Sequence, residues 1–146
     1  MTDVKYPYTV INGVPVVAAP AEIDITNADG LRAALIKAAA ARPGTLVVDM
    51  TQTQFCDSTG LHALVAAHKR ARADGREVLL VIPGAAVLRV FAITGMDQMI
   101  PNFANLDEAL AEAAAAANDH RQHHEADAEP PASQRGLAPA GELPGT

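Results

Sequence analysis

The stretch Phe55-Cys56-Asp57-Ser58-Thr59-Gly60-Leu61 places a short polar segment between two strongly patterned segments. Before it, the apolar block at 45–50, Thr-Leu-Val-Val-Asp-Met, predicts a buried strand. After it, apolar residues recur at helical spacing, which predicts an amphipathic helix over about residues 58–73. The Asp, Ser and Thr of the stretch are good N-cap candidates, because their side-chain oxygens can accept hydrogen bonds from the free N–H groups of a first helical turn. The stretch is therefore expected to present a hydroxyl group at the positive end of a helix.

The composition indicates one domain with an aliphatic core. Of the 146 residues, 49% are hydrophobic but only 3% are aromatic. The net charge of -6 argues against a broad basic surface for nucleic acid or for an acidic membrane. The single cysteine, Cys56, cannot form an intrachain disulfide, which is consistent with a reducing compartment. The sequence shows no signal-peptide pattern and no apolar run near about 18 residues, so we expect a soluble cytoplasmic protein.

The residues before the central stretch predict a hairpin and a helix. Asn12-Gly13 lies between two apolar runs, which is the strongest short signal for a two-residue hairpin turn. Thr26 and Asp29 have the spacing of a capping box, in which the first side chain caps a helix and the second reaches back to it. The first helix is therefore expected to begin at Thr26 and to end at Arg42-Pro43-Gly44.

The residues after the stretch predict a strand at 77–82, a helix at 87–95, a short strand at 99–101 and an alanine-rich helix at 105–117. The element order implies right-handed crossovers and an α/β fold. Its mainly parallel sheet would have about four to five strands, packed with about four helices, and the opening hairpin would supply an antiparallel edge. In such sheets, ligands and partners tend to meet the loops at the carboxyl ends of strands, and the loop at 51–60 is one of these.

The pattern ends near Asn118. Residues 118–146 are rich in Pro, Ala, Gly, His and acidic residues, so apolar burial cannot offset the entropy of ordering them. We expect one domain over residues 1–117 and a disordered tail over residues 118–146. The tail histidines at 120, 123 and 124 are expected to belong to a variable segment rather than to a metal site.

Catalytic chemistry fits the sequence poorly. His62 lies four residues after Ser58 and could approach it on a helix, but there is no Gly-x-Ser-x-Gly elbow and no acid placed to orient the histidine. No Walker-type phosphate loop is present, and Asp49 lacks the acidic pair and the late lysine of a receiver phosphoacceptor. Ser58 and Thr59 then remain as plain caps or as targets of modification. A phosphoryl group there would add about -1.5 to -2 charge at a helix N-terminus, which tolerates it, and would repel a partner docked beside Asp57.

The central stretch resembles the Asp-Ser-Ser/Thr-Gly-Leu signature of bacterial anti-sigma factor antagonists, the soluble STAS domains. The resemblance covers about residues 5–117. Three further landmarks resemble that family: Glu22-Ile23-Asp24, Val87-Leu88-Arg89-Val90-Phe91-Ala92-Ile93-Thr94-Gly95 and Leu106-Asp107-Glu108-Ala109-Leu110. Two features depart from it, because Ala21 replaces the usual glycine and the tail has no counterpart in minimal members.

The resemblance implies a non-enzymatic binding switch with no cofactor and no metal. Ser58 aligns with the serine that a partner kinase phosphorylates, and Thr59 with a neighbour that is not usually the acceptor. The unphosphorylated protein would bind an anti-sigma factor with serine kinase activity and so free its sigma factor. Separately, we expect a monomer when free, since the sequence leaves over no long heptad and no broad apolar stripe. A metal-dependent serine phosphatase would restore that form after phosphorylation. The implied partner surface comprises Asp24, Asp57, Ser58, Thr59, Gly60 and His62.

Two alternatives remain open. The same fold could be a ligand-sensing, nucleotide-sensing or scaffold module that phosphorylation does not regulate. An enzyme using Asp57, Ser58 or His62 is the other.

Overall fold

The computed structural model describes the backbone of residues 6–128 and the side chains of residues 6–117. The chain divides into two compact units, residues 1–113 and 114–146, and the described part of the second unit is helical. In chain order the elements are β1 (Tyr8–Ile11), β2 (Val14–Ala18), β3 (Glu22–Ile23), α1 (Ala28–Ala41), β4 (Thr45–Asp49), β5 (Phe55–Cys56), α2 (Ser58–Ala73), β6 (Glu77–Val81), α3 (Ala85–Thr94), α4 (Met96–Met99), β7 (Asn102–Phe103) and α5 (Leu106–Ala128).

Five strands form the main sheet in the order β1-β2-β4-β6-β7. β1 and β2 pair antiparallel, and all the other neighbours pair parallel. The turn between β1 and β2 is Asn12-Gly13, with φ values of 54° and 79°, because a type I′ turn needs positive φ at both residues. The predicted mixed α/β fold and its opening hairpin are confirmed.

The two faces of the sheet carry separate apolar clusters. Side chains alternate along β4, so Leu46 and Val48 join the cluster beneath α1, α2 and α3, while Val47 joins the cluster beneath α5. Phe91 of α3 is completely buried in the first cluster. Because helices cover both faces of the sheet, the central strands are buried on both sides, and their sequences are nearly continuous apolar runs.

Two short strands were not predicted. β3 and β5 form a separate parallel pair in which Glu22 lies opposite Phe55 and Ile23 opposite Cys56. Each strand has only two residues, which is too short to show a period of two. Ile23 and Cys56 are buried in the larger cluster, so the pairing depends on tertiary packing.

The predicted capping box at Thr26 is wrong. α1 begins at Ala28, and its N-cap residue, Asn27, makes no side-chain cap hydrogen bond. The Thr26 hydroxyl instead donates to Asp24 Oδ1, and Asn27 Oδ1 accepts from the Asp24 amide at 2.9 Å. These polar side chains therefore stabilise the turn after β3, which leaves none of them to cap the helix.

Two predicted boundaries also differ from the structure. The last strand lies at Asn102–Phe103 rather than at 99–101, because Met96–Met99 form the single turn α4. α5 continues beyond the predicted end at Ala117 to Ala128; residues 118–128 contain no Gly or Pro that would stop it. The remainder of the predicted tail, 129–146, lies outside the described residues, so the domain boundary at 117 stays a prediction. None of the described helices is long and apolar enough to cross a membrane.

The first turn of α2 packs closely against the β3–β5 pair. A Cβ atom at Gly60 would lie 2.7 Å from Cys56 Sγ and 2.7 Å from Ile23 Cγ2. Such contacts are far shorter than van der Waals distances, so only glycine fits between the helix and the strand pair.

His68 lies on the buried side of α2. Its side chain is only 7% exposed, and its Nδ1 atom has no hydrogen-bond partner among the described residues. Burial lowers the pKa of His68, the charge of Arg72 lowers it further, and Glu77 opposes them. Burial in the folded protein therefore favours the neutral form of this imidazole.

Replacing Gly60 by alanine is expected to lower the free energy of unfolding by about 1–3 kcal/mol, the usual cost of overpacking a filled site. Urea unfolding measures the change. The matched control is Gly30→Ala in α1, where the new Cβ would meet only the Tyr6 ring at 3.9 Å among the described residues. That change is expected to raise stability by about 0.5–1 kcal/mol, because alanine favours helix over glycine. Equal effects of the two substitutions would contradict the packing constraint.

Stability is expected to fall as the pH is lowered from 7.5 to 5.5. The unfolded chain takes up a proton at His68 near the ordinary histidine pKa of about 6.5, whereas the folded protein does so only at lower pH. Urea unfolding at the two pH values measures the loss. The variant His68→Leu should lose less stability between the two pH values than wild type does. The control variant His62→Gln should lose as much as wild type, because residue 62 is exposed on the same helix. The same pH dependence in wild type and His68→Leu would refute the role of burial.

Candidate functional site

The loop that carries Ser58 lies beside the loop that carries Asp24. The two loops follow β5 and β3, and the amide of Asp57 donates to the carbonyl of Ile23 at 3.0 Å. Asp24 and Asp57 each come directly after a residue of the paired strands, Ile23 and Cys56. The strand pair therefore brings these two predicted site residues to the same edge.

Asp57 is the N-cap of α2. Its Oδ1 atom accepts hydrogen bonds from the Gly60 amide at 3.0 Å and from the Thr59 hydroxyl at 2.5 Å. The Thr59 hydroxyl is the main cause of a lowered pKa for Asp57, and the Gly60 and Thr59 amides lower it further. The Leu61 amide also donates to the Asp57 carbonyl, at 3.0 Å. Of the three N-cap candidates, Asp57 has this role, and it is ionised at neutral pH.

Ser58 is the first residue of α2 and is exposed. No hydrogen bond to its hydroxyl is formed by the described residues, whereas the Thr59 hydroxyl is bound to Asp57. His62 is also exposed and lies one turn further along the same helix. The structure thus leaves Ser58 as the accessible hydroxyl of the pair and engages Thr59 in the cap.

Gly60 differs from the other predicted surface residues because it is buried. Its place between Ile23 and Cys56 keeps it from contacting a partner directly. Gly60 therefore contributes to the surface by holding the start of α2 against the strand pair, which fixes the position of Ser58.

Cys56 is an internal packing residue. It is 4% exposed, and burial raises the pKa of its thiol to about 12, with a further contribution from the charge of Asp57. The thiol is therefore protonated at neutral pH and a poor nucleophile. In the part of the chain that the structure describes, no group of three or more His, Cys, Asp or Glu side chains could hold a metal ion.

Two exposed apolar side chains flank the Ser58 loop and were not predicted. Ile25, which follows Asp24, is 77% exposed, and Phe55 of β5 is 52% exposed. Leu88 of α3, a helix that packs against β5, is 37% exposed. For Ile25, the sequence offered one signal, which is its position between the polar residues Asp24 and Thr26. For Phe55, the sequence offered none, because its exposure depends on the pairing of β3 with β5. The site therefore combines carboxylates with exposed apolar groups, which suits protein binding.

The chain matches a known protein family and a named relative. The family model described as the STAS domain matches residues 5–109. The chain is 32% identical over 101 residues to the anti-sigma-F factor antagonist RsfB of Mycobacterium tuberculosis, covering 68% of this chain and 80% of that protein.

Solved structures share the fold. An anti-sigma factor antagonist from Mycobacterium paratuberculosis is 31% identical with a TM-score of 0.64, covering 75% of this chain and 92% of that one. An anti-sigma-factor antagonist (STAS) domain protein from Planctomyces limnophilus is 22% identical with a TM-score of 0.66, and the match covers 75% of this chain and 97% of that one. Anti-sigma factor antagonists of this kind are generally not enzymes. From the family match and the relatives at more than 30% identity, we conclude that the chain belongs to the STAS domain family.

Proposed function

We propose that this chain is a non-enzymatic anti-sigma factor antagonist whose binding is switched at Ser58. In its unphosphorylated form it binds an anti-sigma factor in the cytoplasm and frees a sigma factor. The observation that carries the switch is the exposed Ser58 hydroxyl at the first residue of α2, directly after the capping carboxylate of Asp57. Family membership and the named mycobacterial relatives support the binding role.

The kinase partner is an anti-sigma factor with ATP-dependent serine kinase activity, and a metal-dependent serine phosphatase reverses the modification. Ser58 is the acceptor rather than Thr59, because the Thr59 hydroxyl donates to Asp57 and is half-buried. Phosphorylation adds about -1.5 to -2 charge beside the ionised Asp57. A partner docked over this loop would have to accommodate both charges, so binding is lost while the domain stays folded.

The partner surface comprises Asp24, Asp57, Ser58 and His62, with Ile25 and Phe55 as its apolar contacts. The sequence has no Lys or Arg between Arg42 and Lys69, so the Ser58 loop itself carries no permanent cation. A matching partner surface would be apolar where it meets Ile25 and Phe55 and closely packed over Ser58, with no cation there to receive a second negative charge.

Incubation with an anti-sigma kinase of the same bacterium and ATP is expected to label Ser58, with the site mapped by mass spectrometry of the tryptic peptides. Ser58→Ala should abolish the label, and Thr59→Ser should leave it on residue 58. Label on Thr59, or no label with any such kinase of the bacterium, would refute the switch.

Ser58→Asp is expected to weaken binding to the anti-sigma factor by at least about tenfold, because the docked partner would have to bury a second carboxylate beside Asp57. Ser58→Ala should bind like the unphosphorylated wild type and, unlike wild type, should remain bound when ATP is added. Titration calorimetry measures both. The matched control is Ala73→Asp, an exposed position at the other end of α2, about 22 Å along the helix axis. Undiminished binding by Ser58→Asp would favour a module that phosphorylation does not regulate.

A further inference from the structure

The backbone donors at the start of α2 are largely occupied before any phosphate arrives. The Gly60 amide donates to the Asp57 carboxylate, the Thr59 amide also stabilises that charge, and the Leu61 amide donates to the Asp57 carbonyl. A phosphoryl group on Ser58 would therefore meet a carboxylate already in place rather than an empty set of N–H groups. Its counter-charge has to come from side chains.

Few cationic side chains are near Ser58 along its own helix. The first Lys or Arg of α2 is Lys69, which lies 11 residues after Ser58 and about 16 Å along the helix axis. His62 is much closer, because residues four apart are neighbours on a helix surface, with about 5–6 Å between their Cβ atoms. Ser58 and His62 are both exposed on α2, and Gly60, Leu61, Ala63 and Leu64 form its buried side at this end.

The neighbouring helices α1 and α3 carry three other cations, Arg32, Lys37 and Arg89. On α1, which packs against α2, the first is Arg32, whose guanidinium lies 3.8 Å from the Asp29 carboxylate. On α3, which packs against β5, it is the exposed Arg89. The carboxylates near the Ser58 loop are those of Glu22 in β3, of Asp24 directly after β3 and of Asp57 directly after β5.

We propose that His62 is the side chain that pairs with a phosphoryl group on Ser58 and holds it on the outward face of α2. This inference rests on the proposed function for the presence of that phosphate. The order is favourable, because an anionic residue four positions before a cationic one is the better arrangement on a helix. A ring N–H of the imidazolium donates to a phosphoryl oxygen in a charge-assisted hydrogen bond. His62 thereby positions the phosphate and partly neutralises it beside Asp57.

The pairing has a chemical consequence for the phosphate. A nearby cation favours the dianion of phosphoserine, whose second pKa is ordinarily about 6. A phosphatase acting on this group has to displace the imidazole first.

The test places phosphoserine at residue 58 of the full chain during translation and follows its phosphorus NMR signal from pH 4.5 to 8. The midpoint in the otherwise wild-type protein is expected to lie about 0.2–0.4 pH unit below that of His62→Gln, as a charged i,i+4 pair implies. His62→Lys should retain the low midpoint, because lysine keeps its charge over this range. Arg32→Gln and Arg89→Gln serve as controls and should leave the midpoint unchanged.

Equal midpoints in wild type and His62→Gln would overturn the proposal. A shift caused by Arg32→Gln or Arg89→Gln and not by His62→Gln would overturn it too, because a neighbouring helix would then supply the cation. The phosphoserine is installed without a kinase, so the result does not depend on whether a kinase labels Ser58. Failure of the labelling experiment would refute the proposed function and leave this measurement unaffected.

Discussion

The close packing of Gly60 against Ile23 and Cys56 is the constraint on which the Ser58 loop depends. With no side chain at residue 60, the first turn of α2 approaches the β3–β5 pair to a distance that any Cβ atom would prevent. That contact fixes where the helix begins, and the helix start in turn orients the Asp57 cap and the exposed Ser58. A two-residue strand pair thus determines the geometry of the site, although the large sheet supplies most of the core.

Most of the fold could be predicted because it follows from patterns within short segments. The apolar runs of β4 and β6 and the Asn12-Gly13 turn are local signals, and each led to the correct element. The failures arise where a side chain has competing partners in space. Thr26 has the residue type of a helix cap, but Asp24 takes its hydroxyl, and nothing in the spacing of the two residues decides between these bonds.

For the candidate site, the sequence motif indicated which residues to consider but not the role of each one. Its motif identified Asp57, Ser58 and Thr59 together, but residue types alone could not assign the cap among them. The structure separates their roles by hydrogen bonding, since Asp57 accepts from both Thr59 and Gly60 while Ser58 faces solvent. The exposed Phe55 was missed because phenylalanine is usually a core residue, whereas its exposure here depends on the pairing of β3 with β5.

This separation of roles explains how one residue could change binding without unfolding the domain. The bonds that hold the helix start involve Asp57, Thr59 and Leu61, and none of them uses the Ser58 hydroxyl. A group added to Ser58 therefore removes no stabilising contact among the described residues. It adds charge to a surface whose own carboxylate already occupies the first amides of the helix. The same cap that stabilises α2 leaves little backbone compensation for a phosphate, so the added charge would act mainly on whatever approaches from outside. A helix capped by a serine in place of Asp57 would lack this property, because a phosphoryl group on that serine would accept from the first amides and have part of its charge compensated there.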